Sequence, residues 1–285
     1  MNQVMACVDA QGSPATVCDG AVWAARTLGG PLTFLHVLDR HPETTAHTDF
    51  SGQIGLGAQE DLLQELAELD ARRSALAQTH GRQILDGLVE RAAAAGLAPV
   101  HSRQRHGELV ETVVELAADA RLLVMGRHAH PAWGQRHHLD HHLERVIRAV
   151  NRPVFVTPGE HFAVPTAFAL AWDGSEASRQ LVDQVAGDAL LSGLRCHLVH
   201  AGATDAGLQA ALAEAAGRLQ AAGFTVEAVS VEGDVAPALS GFVSERQLGM
   251  LVMGAFGHSR IRQWVLGSTT ATLLRTSAVP VLVLR

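Results

Sequence analysis

Between Met253 and Thr269 the chain reads Met253-Gly254-Ala255-Phe256-Gly257-His258-Ser259-Arg260-Ile261-Arg262-Gln263-Trp264-Val265-Leu266-Gly267-Ser268-Thr269. The segment opens at the end of an apolar run, Met250-Leu251-Val252. It closes where Ser268-Thr269-Thr270-Ala271-Thr272-Leu273-Leu274 reads as the start of a helix. Glycines in such a loop let the backbone come close to a ligand. The first N–H groups of a helix lack partners within it, and together with the helix dipole they attract a phosphate. Ser268 and Thr269 are placed to cap this helix. Arg260 and Arg262 either add charge to the loop or are simply solvated. The segment supplies phosphate donors but no obvious general base, and no GxxxxGK[ST] lysine follows the glycines. No catalytic residue is assigned.

A second cluster is Arg127-His128-Ala129-His130-Pro131 with Arg136-His137-His138-Leu139-Asp140-His141-His142, which holds six of the sixteen histidines. On a helix His138 and His142 share a face, a spacing compatible with two zinc ligands. A polar, solvated loop accounts for the same residues. No Cys stands nearby, the neighbouring arginines disfavour a cation, and a metal is left unassigned.

The elements that must position these residues occur twice. Val4-Met5-Ala6-Cys7-Val8-Asp9 returns as Phe168-Ala169-Leu170-Ala171-Trp172-Asp173, and Thr33-Phe34-Leu35-His36-Val37 as His197-Leu198-Val199-His200-Ala201. Asp9 to Asp173 and His36 to His200 are both 164 residues apart. Leu122 to Gly126 returns as Met250 to Gly254, and Pro153-Val154-Phe155-Val156 as Pro280-Val281-Leu282-Val283, at offsets of 128 and 127. Apolar runs ending in Asp are expected for buried parallel strands with exposed C-terminal ends. Helical patterns separate them. Gly107 to Ala120 sets Leu109, Val113 and Leu116 on one face, and Val235 to Gln247 is its counterpart. Strands alternating with helices imply parallel sheets covered on both faces. Each half therefore reads as five strands and four main helices, with a boundary near Pro158-Gly159-Glu160-His161. The expected domains are 1–158 and 162–285. The first carries an inserted segment, 41–80, which begins loop-like and glycine-rich. It then becomes amphipathic, with Leu62, Leu66, Leu69 and Leu76 near helical spacing. A flexible connector is favoured there over a nucleotide loop.

The spacing Gly-x2-Gly-x9-Gly-Ser at Gly254, Gly257, Gly267 and Ser268 resembles the ATP-binding signature of the universal stress protein family. The resemblance extends over nearly the whole chain, twice. It implies two tandem doubly wound (Rossmann-like) α/β domains, each a five-stranded parallel sheet of order 3-2-1-4-5. In such a sheet the ligand crevice lies where the order reverses, between the first and fourth strands. By the same resemblance the backbone near Ala171 and Ala201 would receive adenine, and Asp173 the nucleoside. Met253, Gly254, Gly257, Gly267, Ser268 and Thr269 would surround the phosphates of ATP, with ADP or AMP as alternatives. The first half departs from the pattern. Asp140 and His141 stand where Gly267 and Ser268 should, and Ala129 where Gly257 should, so only the fold is carried over to it. The final strands, apolar edges in the family, are expected to pair antiparallel as residues 153–157 and 280–284. The chain then becomes an intramolecular pseudo-dimer, with a homodimer through other surfaces left open.

Composition bounds the function. A formal charge of −7 argues against general nucleic-acid binding. No apolar run is long enough to cross a bilayer, and the opening residues lack a signal-peptide pattern. The three cysteines, Cys7, Cys18 and Cys196, have no CxxC spacing and suit reduced thiols in a cytoplasm. The leading expectation is an ATP-binding stress-response or signalling protein with an unknown protein partner. A slow ATPase or phosphotransferase, and a nucleotide-independent scaffold, are the alternatives.

Overall fold

The computed structural model describes residues 3–9, 13–38, 56–127, 141–159, 161–255 and 267–285. The first half contributes β1 (Gln3–Cys7), α1 (Pro14–Leu28), β2 (Leu32–Leu38), α2 (Leu56–Ala94), β3 (Val100–His106), α3 (Leu109–Ala117), β4 (Ala120–Gly126), α4 (His141–Ala149) and β5 (Val154–Thr157). The second contributes β6 (Ala167–Ala171), α5 (Glu176–Ala186), β7 (Arg195–Ala201), α6 (Ala206–Ala221), β8 (Val226–Val231), α7 (Val235–Glu245), β9 (Met250–Gly254), α8 (Ser268–Thr276) and β10 (Val281–Leu284).

All ten strands form one sheet, in the order β3-β2-β1-β4-β5-β10-β9-β6-β7-β8. Every pairing is parallel except that at the centre, where β5 and β10 run antiparallel with Val281 opposite Val156, Leu282 opposite Phe155 and Val283 opposite Val154. Both strands are buried along their whole length. Strands covered on both faces are close to continuously apolar, and the central pair is so apart from Thr157, whose hydroxyl donates to the Met125 carbonyl. The outer strands β3 (VHSRQRH) and β8 (VEAVSV) are largely exposed, and β3 carries Arg103 and Arg105, charges that discourage a further strand from pairing there.

Helices cover the two faces in fours. Val4, Ala6, Phe34, Val124, Phe155, Leu170, Leu198, Val252 and Leu282 point towards α1, α2, α5 and α6. Met5, Leu35, Leu123, Met125, Val154, Ala169, Val199, Leu251 and Val283 point towards α3, α4, α7 and α8. Each core contains residues of both halves, so the hydrophobic interior continues across the central pair. The link between the halves is pinned there too. Phe162 lies 6.2 Å, edge to face, from Phe155 and 6.0 Å from Trp23.

The leucine-bearing part of the inserted segment is helical, and the glycine-rich stretch expected as a connector lies mostly outside the described residues. Residues 39–55 lie outside the described residues, but Leu56–Ala94 is a single 39-residue helix, continuous with the one that crosses from β2 to β3. It meets the sheet at Gly81, where a Cβ would collide with Gln104 and come within 2.5 Å of His36 Cδ2. Only glycine permits that approach.

Candidate functional site

The C-terminal ends of β6, β7 and β9 lie side by side in the second half. β6 pairs with β7 through Ala171 opposite Val199, and with β9 through Leu170 opposite Val252. Beyond β6, the Asp173 carboxylate accepts the Ser175 N–H at 3.0 Å. Gly174 then turns the chain at φ +78°, a conformation side-chain-bearing residues rarely adopt. Ser175 caps α5 by accepting the Ser178 N–H. Asp173 is thereby held half-buried just past the end of β6.

His200 braces this corner. From β7 its Nδ1 lies 3.3 Å from the Trp172 carbonyl, and its Nε2 is 3.3 Å from the Ala203 carbonyl. In the first half His36 Nδ1 lies 2.8 Å from the Val8 carbonyl. Each histidine thus reaches the peptide just before an aspartate, Asp9 or Asp173. A carbonyl can only accept, so His36 carries a proton on Nδ1, the ring nitrogen that faces Val8. The repeat of the two histidines is visible in the sequence. Their bracing role is not, because it depends on the lateral pairing of the strands.

The start of α8 adjoins the end of β9. Gly267 is its N-cap, with φ −57° and ψ 140°, and no side chain caps the first turn. Ser268 and Thr269 are the first helical residues, not the caps expected of them. Their backbone has already entered the helix, so neither hydroxyl is set back far enough to reach an N–H two or three residues on. Thr270 Oγ1 donates to the Gly254 carbonyl at 3.4 Å and ties the helix start to the end of β9. Met253 is buried, Gly254, Gly267 and Thr269 are half-buried, and Ser268 is exposed. Ala171 and Ala201, both half-buried, end β6 and β7. Of the expected phosphate residues, Gly257 lies outside the described residues, as do Arg260 and Arg262.

The equivalent corner of the first half forms a crevice lined by Cys7, Val8, Asp9, Val37, Leu109, Met125 and Gly126. Cys7 and Val37 stand where the second half has Ala171 and Ala201, so its walls carry bulkier side chains. Burial, aided by the charge of Asp9, pushes the Cys7 thiol up to about 12, which keeps it protonated and inert. Arg127, next after β4, leaves this half altogether. Its Nη1 donates to the carbonyls of Ser277 at 2.6 Å, Arg275 at 2.9 Å and Leu274 at 3.4 Å, the C-terminal end of α8.

No group of three metal-ligating side chains occurs among the described residues. His138 and most of its cluster lie outside them. No helix among the described residues is long and apolar enough to cross a membrane.

The sequence profile of the Universal stress protein family matches residues 1–158 and again 168–285. A universal stress protein of Synechocystis sp. is 32% identical over 288 residues, covering the whole of both chains. The crystal structure of a universal stress protein from Archaeoglobus fulgidus superposes with a TM-score of 0.69 at 17% identity, over 99% of this chain and 96% of that one. One of a putative universal stress protein from Pseudomonas aeruginosa gives 0.62 at 17% identity, over 99% and 92%. At that identity the two structures speak for the fold. With a family match in each half and a relative aligned end to end, the chain belongs to the universal stress protein family and carries two of its modules in tandem.

Proposed function

We propose that this protein binds one adenine nucleotide, ATP by preference, in its second module, and that occupancy sets its conformation or its choice of protein partner in a stress response. The observation that supports this most is the start of α8. Three features meet there: a helix N-terminus without a side-chain cap, a glycine at its N-cap, and a hydroxyl tie to the switch-point strand. Unpaired N–H groups facing a crevice suit a phosphate. Met253, Gly254, Gly257, Gly267, Ser268 and Thr269 are the residues to hold the phosphates. Asp173 suits a nucleoside hydroxyl because its carboxylate is already oriented by the Ser175 N–H. Ala171 and Ala201 leave their strand ends open to a flat base, where Cys7 and Val37 narrow the first crevice.

Calorimetry with ATP tests this reading. One site per chain is expected, and two equal sites would sink it. Gly267→Val is the decisive variant. Gly267 has dihedrals any residue adopts, so valine leaves the fold largely intact while its side chain enters the phosphate space. Binding should be lost at an unchanged melting temperature. Hydrolysis should be very slow, and a turnover of about 1 per second or faster would favour an enzyme instead.

A further inference from the structure

From Gln64 to Ala77 every residue of α2 is exposed, and its first contact with the sheet comes near Gln78, whose carbonyl accepts from Gln104, and at Gly81. The part of the helix before Gly81 is an arm about 35 Å long, at 1.5 Å per residue. On it Leu66, Leu69 and Leu76 are 46%, 53% and 72% exposed, large apolar side chains in open water. With Arg73 they fall at spacings of 3, 4 and 3, the heptad seam of a coiled coil. The stripe does not continue the helix's core face. Gly81, Leu85, Leu88 and Ala92 seat α2 on the sheet. At about 100° per residue they lie roughly a third of a turn away from the leucine stripe. Two separate apolar seams on one helix call for two separate partners, and the sheet supplies only one.

We infer that the α2 arm pairs with the α2 arm of a second copy of this chain as an antiparallel two-helix coiled coil. Charge chooses both partner and direction. With the leucines at the seam positions, Glu65 and Arg72 take equivalent flanking positions one heptad apart, and Asp70 flanks the other side. An antiparallel pair with Leu66 over the partner's Leu69 brings Glu65 of each copy to Arg72 of the other, twice by symmetry. Sliding by one heptad sets Arg72 against Arg72 and Asp70 against Asp70. Parallel pairing sets Glu65 against Asp70. Opposite charges flanking the seam select the first arrangement. Within one chain Arg72 is held only loosely, 3.8 Å from Glu68 with both side chains mostly exposed, so little is lost in turning to a partner.

The test is sedimentation velocity of the full-length protein over a wide concentration range. Wild type should form dimers, and Leu69→Glu/Leu76→Glu should sediment as a monomer with the same circular dichroism and melting temperature. Arg72→Glu alone should weaken the dimer at least tenfold, and Glu65→Arg/Arg72→Glu should restore it. A cysteine pair, Glu65→Cys/Arg72→Cys, should give a covalent dimer on mild oxidation, because the two positions face each other across copies. Wild type that stays monomeric at every concentration, including by folding residues 39–55 over the stripe, would overturn the inference. So would a dimer indifferent to the leucine variant. A charge swap that restores nothing would remove the antiparallel register.

Discussion

Three buried thiols show how environment sets chemistry at single residues. Burial pushes Cys7, Cys18 and Cys196 up to about 12, with Asp9 adding to the effect at Cys7 and Asp19 at Cys18. The thiolate is the reactive form, so none should react with a thiol reagent at pH 8 until the protein unfolds. Titration before and after denaturant checks this, and a thiol that reacts fast in the native protein would contradict the packing described. His197 carries a pH dependence. Its side chain is shut in beside Phe242, and burial lowers its pKa below the ordinary 6.5, with the Glu227 carboxylate opposing. The unfolded chain therefore takes up this proton first as the pH falls. The contribution of neutral His197 to stability is full above about pH 6.5 and declines below it. Replacing it, as in His197→Gln, should flatten the loss of stability between neutral and mildly acid pH in denaturant titrations. The sequence shows His36 and His200 as a repeat and leaves His197 unremarkable. Spacing along one strand says nothing about which neighbour lies across the ladder.

At the scale of elements, α8 is held at both ends by other parts of the molecule. Thr270 ties its start to β9, and Arg127 of the first half satisfies three carbonyls at its end. Arg285, next after β10, does the converse for α4 by donating to the Arg148 and Val150 carbonyls at 3.0 and 2.5 Å. Arg127→Met should cost about 2 kcal/mol of stability, as expected for losing charge-assisted hydrogen bonds at a partly buried site. If the second module binds nucleotide as proposed, the same variant should also weaken binding, because the helix end it releases belongs to the helix that would face the phosphate. Calorimetry and melting of one variant separate the two effects. The helices themselves are legible in the sequence through their 3.6-residue period, as with Val113 and Leu116 of α3. The length of α2 is not, because a glycine-rich stretch just before Leu56 reads as loop and hides how early the helix begins. Nor is the Arg127 cap, since its partners lie roughly 150 residues further on, at a distance where local patterns are silent.

At the scale of the molecule, the β5–β10 pair makes one sheet of two repeats. Short apolar strands at an expected sheet edge demand a cover, and for that reason the seam is visible in Val154-Phe155-Val156 and Val281-Leu282-Val283 before any coordinates. The two hydrophobic cores run through it, so the halves should unfold together. Leu282→Ala, at a fully buried seam position opposite Phe155, should cost about 2–5 kcal/mol and leave a single transition. Hydrogen exchange should then speed up in β1 and β4 as well as in β6 and β9. Acceleration confined to the second half would show the repeats to be independent.

The seam also sets an order of events during synthesis. β5 emerges from the ribosome with the first half, but its partner β10 is the last strand of the ten to be made. At ordinary elongation rates the gap is on the order of ten seconds. Throughout it a nascent chain displays a bare, largely apolar edge at what becomes the middle of the molecule. On a crowded message the nearest complementary edge belongs to the next ribosome's product, and a β5 that pairs there yields an entangled chain in place of a closed one.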